Sequence, residues 1–230
     1  MTSRHVAIII DGNRRWARKQ GLKPWVGHDA GLEKLKKIIK KAFDLGVNEL
    51  TFYVFSAQNI KRAKIEVNRL FFLLKKSCRD LLEDKELNKR NVRIRFIGNR
   101  KIFPRELQSL MNQVEKKTKN YDKYFLNFAI GYGGREELTD SVRQIAAKVK
   151  RGKLNPSSIS QKTIAEHLWL QSEPDIVIRT GGEIRTSNYL PWQSIYSEWF
   201  FVKKMWPDFT ASDLKRILSD FKKRNRRFGK

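Results

Sequence analysis

The sequence contains a single cysteine, Cys78, and three histidines, at positions 5, 28 and 167. One cysteine excludes an intrachain disulfide framework and a multi-cysteine zinc site. The histidines lie far apart along the chain, and their spacing is not that of a metal cluster. We therefore expect a protein of a reducing compartment, the cytoplasm.

Long uncharged runs are also absent. The longest, residues 186–197, has 12 residues, whereas a membrane-spanning helix needs roughly 18–20. The N-terminus lacks a basic region followed by an apolar stretch, so no signal peptide is predicted. These features predict a protein that is soluble or peripheral at a membrane surface.

Several common catalytic signatures are missing. The chain has no G-x-x-x-x-G-K-[ST] loop, and GYGGRE (131–136) lacks the spacing of a dinucleotide fingerprint. HExxH and GxSxG are absent, as are RRM, KH and zinc-finger patterns. These absences argue against the usual nucleotide-binding, zinc-protease, serine-hydrolase and nucleic-acid modules.

Positive charge is abundant. Lys and Arg number 49 against 24 Asp and Glu, which gives a formal net charge of +25. A chain this basic attracts polyanions, so nucleic acid, anionic membranes and polyphosphate substrates are all candidate partners. For single runs such as 32–43 and 221–230, a solvated helix face is the more common explanation.

Apolar strand-like runs alternate with helical patterns along the chain. This alternation predicts one α/β domain over residues 1–230, with a mostly parallel six-stranded sheet flanked by helices. The predicted strands are 6–10, 50–55, 92–98, 125–132, 175–180 and 198–202. The predicted helices are 28–45, 64–83, 104–118, 134–150, 160–168 and 210–225.

The predicted helix 64–83 carries a broad apolar face. Ordinary packing against the sheet explains such a face, and the same face could line an elongated apolar cavity. The residues that form it are Leu70, Phe71, Leu73, Leu74, Cys78, Leu81 and Leu82.

Three loops change abruptly from apolar to polar where predicted strands end. They are IDGNRRW (10–16), FSAQNIKR (55–62) and IRTGGEIRTSN (178–188). Because ligands bind at the carboxyl ends of parallel strands, we expect the three loops to meet in one crevice.

Each loop allows a structural and a functional interpretation. Asp11 either begins a turn or offers the single carboxylate that Mg²⁺ combines with phosphate oxygens and water. Ser56 and Asn59 either cap helix 64–83 or join the site. In the third loop, two arginines beside Gly-Gly suit fork-shaped recognition of a phosphate. Glu198, which opens the next strand, is a possible second carboxylate near the same crevice.

Taken in order, these stretches resemble the cis-prenyltransferase family, which includes undecaprenyl and dehydrodolichyl diphosphate synthases. The resemblance implies a parallel six-stranded sheet with a hydrophobic tunnel, usually in a homodimer. It also implies Mg²⁺-dependent head-to-tail condensation of isopentenyl diphosphate onto an allylic diphosphate (farnesyl or geranylgeranyl), which gives a long cis-polyprenyl diphosphate. The segments that carry it are 5–21, 27–31, 55–67, 131–138 and 178–201.

The resemblance also implies residue roles. Asp11 would be the essential Mg²⁺-associated carboxylate, Glu198 the second Mg²⁺ contact, and Asn59 a catalytic residue with a part in proton removal. The allylic diphosphate would be bound by Gly12, Asn13, Arg14, Arg15, Trp16, Lys23, His28, Ser56 and Arg62. Isopentenyl diphosphate would be bound by Arg179, Arg185, Ser187, Arg227 and Gly229.

Three positions depart from the family pattern. Arg14 stands where many bacterial members have glycine, and Ile60 replaces a common aromatic residue. Pro24 replaces a frequent diphosphate-binding arginine, and Lys23 is a less suitable substitute because its point charge lacks the guanidinium fork.

Two other functions agree with part of the sequence. A non-catalytic partner subunit would tend to lose the first-loop aspartate and the arginines, which are present here. The hypothesis of a nucleic-acid-binding protein is supported by the net charge alone, and we expect no nucleic-acid partner. The net charge instead suggests attraction of the substrate together with peripheral contact to anionic lipid.

Overall fold

The computed structural model describes residues 5–224, and a six-stranded, all-parallel sheet forms its centre. The order of the strands across the sheet is β3-β4-β2-β1-β5-β6. The mostly parallel six-stranded sheet predicted from the sequence is therefore confirmed. The strands are β1 His5–Ile9, β2 Glu49–Ser56, β3 Val92–Ile97, β4 Tyr124–Tyr132, β5 Ile176–Arg179 and β6 Glu198–Phe201.

Eight α-helices flank the sheet within the described part of the chain, and all six predicted helices are among them. None of these described helices is long and apolar enough to cross a bilayer. The helices are α1 Asn13–Lys19, α2 Pro24–Asp44, α3 Lys64–Glu83, α4 Lys85–Arg90, α5 Arg105–Thr118, α6 Gly134–Lys150, α7 Gln161–Ala165 and α8 Ala211–Lys223.

Two helices, α1 and α4, were not predicted, and α2 begins earlier than expected. Both missed helices are short and rich in charge, so they lack the apolar periodicity on which the prediction rested. The helix α2 begins at Pro24. Proline suits this first helical position because its missing N–H would have no partner there.

The central strand β1 is buried on both faces. Val6 and Ile8 belong to the larger apolar core, whereas Ala7 and Ile9 face the smaller one. This alternation follows from the two-residue period of a strand, and it requires the continuous apolar run seen in the sequence. The two cores therefore lie on opposite faces of the sheet.

The order of the strands also determines where a ligand can bind. The strand β1 lies between β2 on one side and β5 on the other, so the chain connections diverge at this point. In parallel sheets of this kind, the crevice beyond the carboxyl ends of such strands is the preferred ligand site. Asp11 follows β1, and Thr180 follows β5 at the same edge.

Candidate active site

A cavity of about 460 Å³ lies at this edge of the sheet, and all three polar loops contribute to its wall. The predicted convergence of the loops is therefore confirmed. Eleven of the predicted site residues line the cavity, namely Asp11, Gly12, Asn13, Arg14, Arg15, His28, Ser56, Asn59, Arg62, Arg179 and Ser187.

Asp11 is held by two arginines just beyond the carboxyl end of β1. Its Oδ2 accepts a hydrogen bond from Arg179 Nη2 at 2.8 Å, and its Oδ1 lies 3.3 Å from Arg15 Nη2. The backbone carbonyl of Asp11 accepts from the hydroxyl of Thr180 and from the amide of Trp206. Because both the backbone and the carboxylate are fixed, Asp11 presents its charge in a defined direction.

Arg179 is almost completely buried, with 4% of its surface exposed. Its Nη1 donates to Ser187 Oγ at 2.7 Å and to the carbonyl of Arg185 at 2.5 Å. Ser187 has a φ of 51°, a left-handed conformation that costs a non-glycine residue energy. Strained residues of this kind cluster at functional sites, and this one brings its hydroxyl to the buried guanidinium.

Glu183 connects Arg15 with the exposed Arg185. Its Oε1 accepts from Arg15 Nη1 at 2.8 Å, and its Oε2 accepts from Arg185 Nη1 at 2.5 Å. Gly181 makes this arrangement possible, since a Cβ there would lie 2.7 Å from Arg15 Nη2, and the φ of Gly181 is +90°. The Gly-Gly sequence therefore lets the third loop approach the first.

A buried carboxylate, Glu66, organises another part of the cavity wall. Glu66 is 5% exposed; its Oε1 accepts from Arg62 Nη1 at 2.9 Å and lies 3.3 Å from His28 Nε2. Its Oε2 lies 3.6 Å from Arg14 Nε. Burial raises the pKa of Glu66, but His28, Arg62 and Arg14 outweigh it, so the pKa is lowered and the carboxylate is charged.

Ser56 and Asn59 hold each other in place. The Ser56 backbone amide donates to Asn59 Oδ1 at 3.1 Å. The Ser56 side chain accepts from the Asn59 backbone amide, and the two hydrogen bonds form a capping box. This box caps the short 3₁₀ helix Ala57–Lys61. The prediction that Ser56 and Asn59 could cap helix α3 is therefore wrong. Both residues also line the cavity, so the structural and functional interpretations are compatible.

The GHDAG segment brings α2 close to the first loop. A Cβ at Gly27 would lie 1.9 Å from the carbonyl oxygen of Asn13, so the two backbones are in contact there. His28, the next residue, lines the cavity. Glycine at position 27 is therefore required for the position of the first loop relative to α2.

We expect Gly27→Ala to destabilise the protein by about 1–3 kcal/mol, because the added methyl group forces α1 and α2 apart. Urea denaturation of the wild type and the variant measures this difference in unfolding free energy. Equal midpoints and slopes would show that the contact is not required.

The stability of the protein should depend on pH through His28. Burial lowers the pKa of His28 below its ordinary value of 6.5, so the folded protein holds the neutral imidazole. Unfolding releases the ring to water, where it takes up a proton below pH 6.5. The contribution of His28 to stability is therefore present above pH 6.5 and is lost as the pH falls.

Unfolding free energies measured across this range should fall more steeply for the wild type than for His28→Gln. Burial also lowers the pKa of His5. Because His5 is present in both proteins, it cancels in the comparison. Parallel curves would contradict the prediction.

Four predicted site residues do not line the cavity, and one of them lies at the wrong edge of the sheet. Glu198 begins β6 and therefore lies at the amino edge, opposite Asp11, where it is paired with Arg224. The prediction that it stands near Asp11 is wrong for a single chain, because the first residue of a parallel strand cannot reach the carboxyl edge. The other three residues are Trp16, Lys23 and Arg185.

These three side chains have partners outside the cavity. Trp16 Nε1 donates to Asp208, and the Lys23 ammonium lies 5.2 Å from the centre of the Trp25 ring. The Arg185 side chain is paired with Glu183, and only its carbonyl reaches Arg179. The two predicted C-terminal ligands, Arg227 and Gly229, lie outside the described residues.

Three charged residues in or around the site were given no role in the sequence prediction. Arg18 lines the cavity one helical turn beyond Arg14, and this i, i+4 spacing was a usable signal. Glu66 stands four residues after Arg62, which is the same signal. The pairing of Glu183 with Arg15 joins residues 168 positions apart, so no local pattern could show it.

Known proteins show the same sequence pattern and fold. A family model described as "Putative undecaprenyl diphosphate synthase" matches residues 9–229. The tritrans,polycis-undecaprenyl-diphosphate synthase (geranylgeranyl-diphosphate specific) of Pyrococcus horikoshii is 44% identical over 229 residues, which cover 99% of this chain and 87% of the relative. The protein of the same name from Methanocaldococcus jannaschii is 44% identical over 231 residues, which cover 99% of this chain and 82% of that one.

A solved structure extends this likeness to three dimensions. The lavandulyl diphosphate synthase of Lavandula x intermedia, crystallised with dimethylallyl diphosphate, superposes with a TM-score of 0.95 at 36% identity. The match covers 100% of this chain and 99% of that one. With the family model, the archaeal relatives and this fold in agreement, the chain belongs to the cis-prenyltransferase family of undecaprenyl diphosphate synthases.

Proposed function

We propose that the protein elongates an allylic prenyl diphosphate with isopentenyl diphosphate to make a long-chain cis-polyprenyl diphosphate. The observation that carries this proposal is a cationic cavity that adjoins apolar ones. Among the described residues that line the cationic cavity, one is a carboxylate and five are arginines, namely Arg14, Arg15, Arg18, Arg62 and Arg179.

Two smaller cavities follow the cationic one beneath α2 and α3, each sharing wall residues with the one before it. The first, of about 70 Å³, shares His28 and Leu70 with the cationic cavity, and shares Leu32 and Leu74 with the next. The second holds about 160 Å³ and reaches Phe96 on β3. A diphosphate head at the arginines would thus direct its hydrocarbon tail into an apolar channel, the role predicted for a hydrophobic tunnel.

Mg²⁺ is the metal that the donor set suits. The described residues contain no group of three or more His, Cys, Asp or Glu side chains that could enclose a metal ion. Mg²⁺ instead combines one or two carboxylates with substrate phosphate oxygens and water. Asp11 supplies such a carboxylate in the cavity, and a bound Mg²⁺ would neutralise charge that develops on the leaving diphosphate.

The chain's own arginines, together with His28 as a neutral hydrogen-bonding group, would carry the remainder of the charge stabilisation. Arg14, His28 and Arg62, held by Glu66, form the wall where the allylic diphosphate would leave with the electrons of its carbon–oxygen bond. Arg179, held by Asp11 and Ser187, would orient isopentenyl diphosphate. Fixed cations stabilise such charge without reorganising during the reaction.

The final step removes a proton from the condensed carbocation. The Asn59 amide is a poor base, and its Oδ1 already accepts the Ser56 amide hydrogen. We therefore assign Asn59 and Ser56 to positioning the substrate, and the released diphosphate to accepting the proton.

The activity can be tested with labelled isopentenyl diphosphate, Mg²⁺ and allylic primers of increasing length. We expect butanol-extractable product, preferentially from geranylgeranyl diphosphate, since this is the primer in the names of the archaeal relatives. Chelation of Mg²⁺ should abolish the product. No extractable product from any primer would overturn the proposal.

We also propose that the enzyme acts as a homodimer through the face around β6. The strand β6 is an edge of the sheet, and large apolar side chains in and near it are exposed, namely Ile184, Ile195, Tyr196 and Phe201. Apolar patches on an edge strand favour association, and a two-fold axis covers the same patch on both copies. Sedimentation equilibrium should give twice the chain mass, and Ile195→Asp should shift it towards the monomer.

Peripheral binding to anionic lipid is the third part of the proposal, and we assign it to one face of α3. Residues 65, 69, 72, 76 and 79 share this face by their helical spacing. They supply exposed Ile65 and Phe72 together with Lys76 and with Arg69 and Arg79, which are paired with Asp29 and Glu106. Apolar side chains interleaved with cations suit the interface of an anionic membrane.

In a flotation assay, the wild type should bind phosphatidylglycerol vesicles and not phosphatidylcholine vesicles, and the variant Ile65→Ser/Phe72→Ser should bind less. Val142→Ser removes an exposed apolar side chain from α6 and serves as the control. Equal flotation of all three proteins would contradict the assignment.

A further inference from the structure

Two ion pairs join α2 to α3, and they lie at different depths. Asp29 and Arg69, 2.8 Å apart, are adjacent in sequence to His28 and Leu70 of the cationic cavity. The second pair joins Lys36 Nζ to Asp80 Oδ2 at 3.1 Å, and both side chains line the apolar cavity of about 160 Å³. Lys36 follows His28 by eight residues, which places it about 12 Å further along α2.

The apolar cavities are too small for a long product. They hold about 160 and 70 Å³, whereas a pocket that encloses a drug-sized ligand holds roughly 300–1,000 Å³. A chain of many isoprene units is larger than such a ligand. The growing tail must therefore pass beyond the cavity during elongation.

The structure offers one direction for this passage among the described residues. The sheet closes the floor of the cavity, where Phe96 and Phe128 are buried and their rings stack with centroids 5.6 Å apart. On the opposite side, Lys36 and Asp80 are 45% and 41% exposed, so solvent is reached between α2 and α3. The Lys36–Asp80 pair spans this gap.

We propose that the Lys36–Asp80 ion pair is a gate between α2 and α3 that limits the length of the polyprenyl product. The inference rests on the elongation activity proposed above. A tail that enters the gap must either separate the pair or press hydrocarbon against it. Separation takes the partner away from each charge, and contact with hydrocarbon takes away its hydration, so both cost free energy. Growth past this point is therefore opposed until the pair opens.

Glu33 strengthens the gate from the side of α2. Its Oε1 lies 3.4 Å from Lys36 Nζ, so the ammonium has two carboxylate partners. Removing Asp80 alone leaves Lys36 paired with Glu33 on its own helix, which ends the connection between α2 and α3. The connection, and not the lysine charge by itself, is what the gate requires.

The test compares product lengths by reversed-phase chromatography, with full-length enzyme, labelled isopentenyl diphosphate, geranylgeranyl diphosphate and Mg²⁺. The double variant Lys36→Met/Asp80→Leu makes the gap apolar, and its most abundant product should be longer than that of the wild type by at least about one isoprene unit. Asp80→Asn changes the shape least, keeps the fold, and should shift the distribution in the same direction. Lys36→Arg keeps the pair and should leave the distribution unchanged.

The matched control is Asp44→Leu/Arg90→Met, which removes an ion pair of 2.9 Å between α2 and α4 that does not line the cavity. Its product distribution should equal that of the wild type. The inference is overturned if both Asp80 variants give wild-type lengths, or if the control shifts as they do. Failure of the wild type to elongate any primer would instead overturn the proposed function.

Discussion

Asp11→Ala is expected to lower kcat by about a thousandfold or more, because no other described carboxylate lines the cavity to replace its charge. Steady-state kinetics with saturating Mg²⁺ and both substrates measure the effect. The variant should fold, since Arg179 keeps its hydrogen bonds to Ser187 and to the carbonyl of Arg185.

Asp11→Asn is the sharper comparison. The amide oxygen can still accept from Arg179, so the geometry around the guanidinium is kept while the negative charge is lost. If the role of Asp11 is to bind metal, Asn should be nearly as inactive as Ala. If its role is only to position Arg179, the Asp11→Asn variant should recover most of the activity. Activity of this variant within tenfold of the wild type would refute the metal assignment.

The second large effect is expected for Arg179→Lys, although the charge is retained. The guanidinium donates through one nitrogen to Asp11 and through the other to Ser187 and the Arg185 carbonyl. A lysine ammonium cannot reproduce this planar fork. We expect kcat/KM for isopentenyl diphosphate to fall about a hundredfold, with a smaller change for the allylic primer.

Arg100→Lys provides the control for this substitution. Arg100 makes a two-nitrogen contact with Glu115, at 2.6 and 2.7 Å, and does not line the cationic cavity. Its replacement should leave both kinetic constants unchanged. Equal effects at positions 100 and 179 would mean that Arg179 supports the fold and not substrate binding.

The sheet and the crevice could be predicted because local patterns determine them. A strand buried on both faces needs a continuous apolar run, which β1 shows, and the carboxyl ends of parallel strands share an edge. Once the strands were recognised, the meeting of Asp11, Asn59 and Arg179 followed from topology. The apolar face of α3 was predicted either to pack against the sheet or to line an apolar cavity. Leu70 and Leu74 do line such a cavity.

The pairing of charges could not be predicted in the same way. Glu66 holds Arg14 of α1, His28 of α2 and Arg62 of the second loop, and Glu183 holds Arg15. These contacts depend on how the loops fold back over the sheet, which no local periodicity encodes. The error at Glu198 has a simpler origin, because a residue that begins a parallel strand lies at the amino edge.

Pro24 shows how a departure from the family pattern can have a structural cause. As the first residue of α2, it fixes the start of the helix that carries Gly27 and His28 towards the cavity. The neighbouring Lys23 lies over Trp25 and does not line the cavity. We therefore expect the diphosphate to depend on Arg14, Arg15 and Arg62, with little contribution from position 23.

A crystal structure with Mg²⁺ and a non-hydrolysable thio analogue of geranylgeranyl diphosphate would test the assignment of the cavities most directly. We predict the diphosphate between Arg14, Arg62 and His28, a Mg²⁺ ion on Asp11, and the hydrocarbon tail along Leu70 and Leu74 beneath α3. A diphosphate bound away from the first loop, or a tail that avoids the apolar channel, would contradict it.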